Sequence, residues 1–310
     1  MKEYLNLLKC PTCEGVVNDA QASRTYVAPF NAHQYTLHRC ENCDLSFWTP
    51  LRIDPAFYED EGFAAYADYH KGGRPFPPWC ALFFEKMPLV QGRLLDVGCG
   101  DGAFLARAKA AGFETWGMDL DKNSVNAAVT HYRLDNIKHS SLDEFVGFCK
   151  KNAITFDIIS FFEVLEHQDH PAEFINQVIS VLKPGGYIAG SVPNARRFLA
   201  ALDRRLSPGD LPPHHFLWFT KRTLKLFFSS KQFDSILVQP SGNISFAELR
   251  AKFTALVYKK TLVQSPSWLT RFILFPAIQC VTYGLWIGYR FSPAHLYFQA
   301  SKPLILEKNG

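Results

Sequence analysis

The sequence has no marked excess of either charge. Its 33 Lys and Arg stand against 29 Asp and Glu, a formal net charge of +4 over 310 residues, so nothing in the mean marks a chain that coats polyanions. Glycine and proline are not enriched, at 19 residues each, which excludes collagen-like and low-complexity classes. With 47% hydrophobic and 20% charged residues, intrinsic disorder is excluded as well. No secretory leader is evident: residues 1–9 hold only the apolar stretch Tyr4–Leu8, too short for a signal core and without a small-residue cleavage site. A cytoplasmic protein is expected. What remains is a globular chain long enough for one large α/β domain plus a small appendage.

Eight cysteines are present, and four of them form matched pairs. Cys10-Pro-Thr-Cys13 and Cys40-Glu-Asn-Cys43 are CxxC turns separated by 26 residues. Each turn aims two sulfurs at one ion, and two facing turns complete a tetrahedral four-thiolate site for structural Zn2+. The intervening Thr25-Tyr-Val and Tyr35-Thr-Leu-His-Arg39 alternate enough for a short hairpin. Residues 1–50 thus read as a zinc ribbon that depends on its ion to fold. A redox pair would need one motif beside a helix, not two matched ones. Residues 51–88, aromatic and ending in a Gly/Pro-rich run, read as a helical connector.

From residue 89 short apolar runs alternate with helical spacing. Arg93–Val97, Glu114–Met118, Phe156–Phe161 and Tyr187–Val192 are candidate strands, with helices expected over Ala103–Ala111, Ser124–Tyr132 and Ala172–Leu182. Such alternation predicts βαβ units and a parallel sheet, whose ligands sit at the carboxyl ends of the strands. There the first strand gives Asp96-Val-Gly98-Cys-Gly100-Asp-Gly102, and the second ends in Asp119, a carboxylate placed to accept both hydroxyls of a ribose.

Leu94–Gly102 resembles the first motif of class I S-adenosylmethionine-dependent methyltransferases. The likeness extends to Asp119, to Phe161-Phe-Glu-Val-Leu-Glu-His167 and to Leu182-Lys-Pro-Gly-Gly186, and covers residues 90 to 195. It implies a Rossmann-like, seven-stranded α/β methyltransferase domain over residues 89–310 and S-adenosylmethionine as cofactor. By carry-over, Asp96, Gly98, Cys99 and Gly100 form the turn against the cofactor's amino-acid end, and Asp119 and Leu120 meet the ribose. Ser141 and Leu142 flank the adenine, and Phe162 and Glu163 lie near the methionine portion.

Methyl transfer needs alignment first, and a base only when the acceptor is a weak nucleophile such as a hydroxyl. Histidine suits that task near neutral pH. His167 follows the expected strand Phe156–Phe161. His214 and His215 lie in the Pro-rich, aromatic segment Asp210–Thr220, which resembles the family's acceptor lid, where His215 matches the usual histidine. These three are the catalytic candidates. His170 reads as a helix cap or a surface residue, and Asn194 as either a cleft residue or an Asx-turn.

Ser235–Gln239 and His295–Ala300 are expected to be the last two strands, so a helical insertion of about residues 243–293 precedes the final one. Phe246, Leu249, Phe253, Leu256 and Val257 recur at helical spacing. Phe272–Tyr289 is 18 residues without a charge. That length reaches the threshold for a membrane span, but both flanking strands belong to one sheet, so interfacial membrane contact, buried packing and a homodimer interface are the readings kept open. Leu249–Leu306 carries +7 and the rest of the chain −3, a distribution suited to an anionic membrane. The expected function is O-methylation of a small lipid-like or glycan-type acceptor. The ribbon, with only Arg24 and Arg39 as basic residues between its cysteines, is not a basic module, which counts against the alternative of an RNA base methyltransferase. A non-catalytic scaffold that binds partners is the third reading.

Overall fold

The computed structural model describes residues 8–18, 24–53, 71, 76–198, 200–201, 204, 208–242, 246–247, 249–250, 268–291 and 293–304. Near the N-terminus β1 (Arg24–Val27), β2 (Gln34–Arg39) and β3 (Ser46–Thr49) form an antiparallel meander. The hairpin expected between the CxxC turns is β1 and β2. The β3 strand was not foreseen; its inward Phe47 and Trp48 are fully buried.

The large sheet begins at β4 (Gly92–Val97) and continues through β5 (Phe113–Asp119), β6 (Asn136–His139), β7 (Phe156–Phe162) and β8 (Leu182–Pro193). These five are mutually parallel. Two residues, Leu217–Trp218, make β9. The hairpin of β10 (Asp234–Ser241) and β11 (His295–Ser301) then adds to β8, antiparallel, to give the order β10-β11-β8-β7-β4-β5-β6. This is the seven-stranded sheet expected of a Rossmann-like methyltransferase, and β6 is the strand the sequence pattern did not reveal. Six of the seven residues of β7 are buried, as they must be in a strand covered by helices on both faces.

The described residues include the helices α1 (Ala81–Lys86), α2 (Ala103–Ala110), α3 (Lys122–Tyr132), α4 (Leu142–Lys151), α5 (Pro171–Val181), α6 (Lys221–Ser230) and α7 (Trp268–Phe291). Their starts are locally encoded. Asp121 accepts from the backbone N–H of Asn123 and Ser124 at the start of α3. Ser141 with Glu144, and Thr220 with Thr223, form reciprocal capping boxes on α4 and α6. Each such cap contributes about 1 kcal/mol. His170 occupies the N-cap position of α5 but makes no capping hydrogen bond with its side chain; Pro171 sets that helix start instead.

The cysteine module is not packed as a separate body. β9, which lies about 170 residues beyond β3 in the chain, pairs with it through Ser46–Trp218 and Phe47–Leu217. Trp48 meets Trp218 edge-on at 5.5 Å, and Tyr35 meets Phe216 at 6.0 Å. A single hydrophobic cluster therefore runs from Cys10 through Phe216 to Phe298.

Of the insertion, α7 is described and runs as one continuous helix through Pro276. Phe246 packs on Tyr283 at 6.4 Å and on Trp286 at 6.2 Å. Phe253, Leu256 and Val257, expected on the preceding helix, lie outside the described residues, as does most of the connector at 54–70 and 72–75. Among the described residues no helix is long and apolar enough to cross a membrane.

Candidate functional site

A cavity of 340 Å3 opens at the carboxyl ends of β4, β5 and β7. Asp96, Gly98, Cys99, Gly100, Asp119, Leu120, Ser141, Leu142, Phe162 and Glu163 all line it. The turn after β4 needs glycine. Gly98 has φ +73°, and a Cβ there would stand 2.6 Å from Cγ2 of Val164, so only a residue without a side chain lets the backbone form this wall. Asp119 ends β5 with Oδ2 accepting from the Gly100 N–H at 2.8 Å and Oδ1 from the Asp121 N–H at 2.9 Å. Asp96 accepts from the Ser160 hydroxyl at 2.7 Å. Burial pushes both carboxyls above the usual range, against the hydrogen bonds that favour their charged forms.

Glu163 stands at the end of β7 in the left-handed region, φ +56°, a conformation that a non-glycine residue holds only when its surroundings fix it. They do: its N–H donates to the Ser191 carbonyl at 2.9 Å, and its Oε1 accepts from the Ser191 hydroxyl at 2.6 Å. His295, at the start of β11, brings Nε2 to 3.5 Å from Oε2 of Glu163. Its ring lies against Trp79, which also lines the cavity.

The residues present fit S-adenosylmethionine. An acid at the end of β5 faces a position for a ribose, a glycine turn allows close backbone approach to the amino-acid end, and apolar Leu142 and Phe162 supply walls for the uncharged parts. Ser141 is on the wall, but its hydroxyl and N–H are engaged with Glu144 in the cap of α4.

The three catalytic candidates are brought together. His167 lines the cavity, and the His214 and His215 rings lie 4.7 and 4.8 Å from it. His167 Nδ1 donates to the His214 carbonyl at 2.6 Å, and His214 Nδ1 to the Gly209 carbonyl at 2.7 Å. His215 Nδ1 donates to Oδ1 of Asp210 at 3.3 Å. Burial, then the neighbouring rings, hold His167 well below the ordinary imidazole range, and burial takes His214 down to about 3. Asp210 is also buried, which alone would raise it, but His215, Arg197 and Arg204 keep it well below the usual carboxylate range.

A family model for a methyltransferase domain matches residues 70–238. The chain belongs to that methyltransferase family. It is 34% identical over 114 residues to the ubiquinone biosynthesis O-methyltransferase of Aromatoleum aromaticum, covering 36% of this chain and 47% of that protein. Against the mitochondrial ubiquinone biosynthesis O-methyltransferase of Dictyostelium discoideum it is 31% identical over 166 residues, 46% of this chain and 50% of that one. The chain thus spans about half the length of these curated relatives. Among solved structures, phosphoethanolamine N-methyltransferase 2 of Haemonchus contortus, in complex with phosphomonomethylethanolamine and S-adenosylhomocysteine, superposes with a TM-score of 0.54 at 16% identity. That match covers 83% of this chain and 62% of the other and shows the shared fold.

In this methyltransferase-family chain the four-cysteine cluster is a second candidate site, remote in sequence from the cavity. All eight cysteines are free thiols. The Sγ atoms of Cys10, Cys13, Cys40 and Cys43 all lie within 4.8 Å of one another, with Cys10–Cys43 and Cys13–Cys40 both at 3.5 Å. Zinc–thiolate bonds in a tetrahedron place sulfurs about 3.8 Å apart, so the donor set fits one such ion. The hydrogen bond with the Cys43 thiol draws the Cys10 thiol below its ordinary value.

Several residues of the sites escaped the sequence reading. Asp210 and Glu166 stand inside motifs whose histidines drew attention, and Arg197, Arg204 and His295 reach the site only through the fold. Arg197 and Arg204 both donate to Oδ2 of Asp210, at 3.0 and 2.6 Å. Asn194 does not line the cavity; its Oδ1 accepts from the Arg196 N–H at 3.0 Å, the Asx-turn of the two readings.

Proposed function

We propose that the protein transfers a methyl group from S-adenosylmethionine to a hydroxyl oxygen of a small lipid-like or glycan-type acceptor. The observation that carries this reading is that His167 lines the strand-end cavity while its ring packs against those of His214 and His215. When bound, the cofactor supplies an electrophilic methyl group and leaves as a neutral thioether. Asp119 would hold its ribose hydroxyls, the Gly98–Gly100 turn its amino-acid end, and Leu142 the adenine. The acceptor hydroxyl meets the histidine group at the cavity wall, where a neutral imidazole is in the form that takes a proton. The names of the curated relatives support oxygen as the accepting atom and a quinone-like acceptor ring.

Cys10, Cys13, Cys40 and Cys43 would hold Zn2+ in a closed four-thiolate site with a structural role. The insertion would meet an anionic membrane surface from the cytoplasmic side: Val281, Tyr283 and Ile287 are exposed on α7, and the basic surplus falls in the same part of the chain.

Mass spectrometry of lipid and glycan fractions, incubated with the protein and isotopically labelled cofactor, tests the reading. A labelled methyl gain on an acceptor oxygen is expected. Failure of the protein to bind S-adenosylmethionine in calorimetry would overturn the reading.

A further inference from the structure

We infer that Glu163 binds a hydroxyl of the methyl acceptor and that His295 is the positioning residue that aims it. This role rests on the methyl-transfer reading. The residues proposed to hold the cofactor stand after β4, β5 and β6, on one side of β7 in the sheet. The Glu163 side chain turns to the other side. Its Oε1 accepts from the Ser191 hydroxyl on β8 at 2.6 Å, and its Oε2 faces Nε2 of His295 on β11 at 3.5 Å. Because Glu163 also lines the cavity, its carboxylate stands at the edge of the cofactor's strands, where an acceptor aligned on the methyl group has room to lie.

Ser191 is fully buried and anchors Glu163 twice, through the backbone and through Oε1, so Oε2 is the oxygen left for a ligand. His295 decides where that oxygen points. Its Nδ1 is buried and has no hydrogen-bond partner among the described residues. A Cβ on Gly242 would stand only 2.7 Å from that nitrogen. A buried N–H without an acceptor is a costlier orphan than a bare lone pair, so the neutral ring carries its proton on Nε2, the nitrogen that faces Glu163. The ring is held against Trp79, with centroids 5.1 Å apart and planes at 36°. Trp79 is fixed in turn by its carbonyl, which accepts from the Ser241 hydroxyl at 3.3 Å, and Ser241 pairs with His295 across β10 and β11. At 3.5 Å the contact between His295 and Glu163 is longer than a charge-assisted hydrogen bond. Both side chains also keep 21% of their surface open, so Oε2 can accept a further hydrogen bond beside the Trp79 wall. A carboxylate offers only acceptor sites, and the group it selects must therefore donate, as a free hydroxyl does and an ether oxygen does not.

Phenol and anisole, which share a ring and differ in the hydroxyl, are the probes, titrated by NMR into the full chain with S-adenosylhomocysteine bound. Phenol is expected to bind the parent about tenfold more tightly than anisole. Glu163→Gln should abolish that preference. His295→Phe, which keeps a ring against Trp79 but has no donor, should also lose it, whereas His295→Gln, whose amide N–H can stand in for Nε2–H, should restore most of it. A merely structural role for the ring would give the opposite order. In long-range proton–nitrogen spectra of histidine-labelled protein, the signal missing from His295→Phe should report the Nε2–H tautomer in the parent. Equal affinity of the parent for the two probes overturns the inference, as does a preference that survives Glu163→Gln. An Nδ1–H tautomer overturns the role of His295. Should a variant fail to fold, the ratio of the two affinities in the parent decides. Binding of S-adenosylhomocysteine is measured separately by calorimetry. Its absence would sink the methyl-transfer reading, and its loss in Glu163→Gln with the phenol preference intact would assign the carboxylate to the cofactor instead of the acceptor, so the two failures are distinguishable.

Discussion

Thr223, on the first turn of α6, donates its hydroxyl to the carbonyl oxygen of Cys43 at 3.0 Å. The residue that caps a helix of the large domain thereby also completes the second CxxC turn. Arg222 donates to the Asn42 carbonyl at 2.9 Å, and Arg196 pairs with Asp44 at 2.7 Å, so the same turn is held at three successive residues.

Thr223→Val keeps the shape and removes the hydroxyl. It removes the hydroxyl's bonds to the Cys43 carbonyl and the Thr220 hydroxyl, which keeps the Thr223 N–H as its donor, a loss of about 1–3 kcal/mol. Because the hydrophobic cluster is continuous across the two parts, urea unfolding monitored by far-ultraviolet circular dichroism and by tryptophan fluorescence should show one shared, earlier transition.

Cys13→Ser removes one sulfur from the four-cysteine cluster. If the cluster holds zinc as proposed, elemental analysis of the purified variant should show one zinc fewer per chain, and its thermal midpoint should fall, since a bound ion would contribute to the folding free energy of so small a module. An unchanged metal content would show that these cysteines hold no ion.

Asp119→Asn leaves an acceptor for one of the two loop amides and removes the charge that would face the ribose. Binding of S-adenosylmethionine, read by isothermal calorimetry, should weaken by about tenfold or more, the equivalent of about 1.4 kcal/mol. Equal affinity in the variant would place the cofactor elsewhere.

Asp157 predicts an acid-sensitive contribution to stability. Burial alone would raise its carboxyl, but the Lys183 ammonium at 2.9 Å and the Arg93 N–H at 2.8 Å outweigh this and lower it. A carboxylate lowered in the folded state stabilises above its unfolded value, near 4, and that stability is lost as pH falls through the folded value. Asp157→Asn should therefore destabilise the protein at pH 7 and flatten the acid limb of a stability-against-pH curve. Parallel acid limbs for the variant and its parent would contradict the assignment.

Much of the site is legible in the sequence because its residues are close in the chain. Asp96, Gly98 and Gly100 occupy one turn, Asp119 ends the next strand, and each CxxC fixes two sulfurs within four residues. Periodicity also gives most of the large sheet. β6 is missed because it is a four-residue edge strand, Asn136-Ile-Lys-His139, with no fully buried position and so no apolar pattern to read.

Local spacing in the chain carries much of the chemistry: the glycine turn, the strand-end acid, the paired cysteines, and the basic, apolar character of the insertion. Which distant groups meet is set by the fold. Glu166 and His215 approach because β9 and the loop before it fold back on the turn after β7, where the Phe216 N–H donates to the Glu166 carbonyl at 3.0 Å. The cysteine module joins the main body because an unpaired edge of β3 finds β9. Such meetings depend on hydrogen-bonding edges and buried surface supplied by segments far apart in the chain, and those leave no periodic trace in either segment alone.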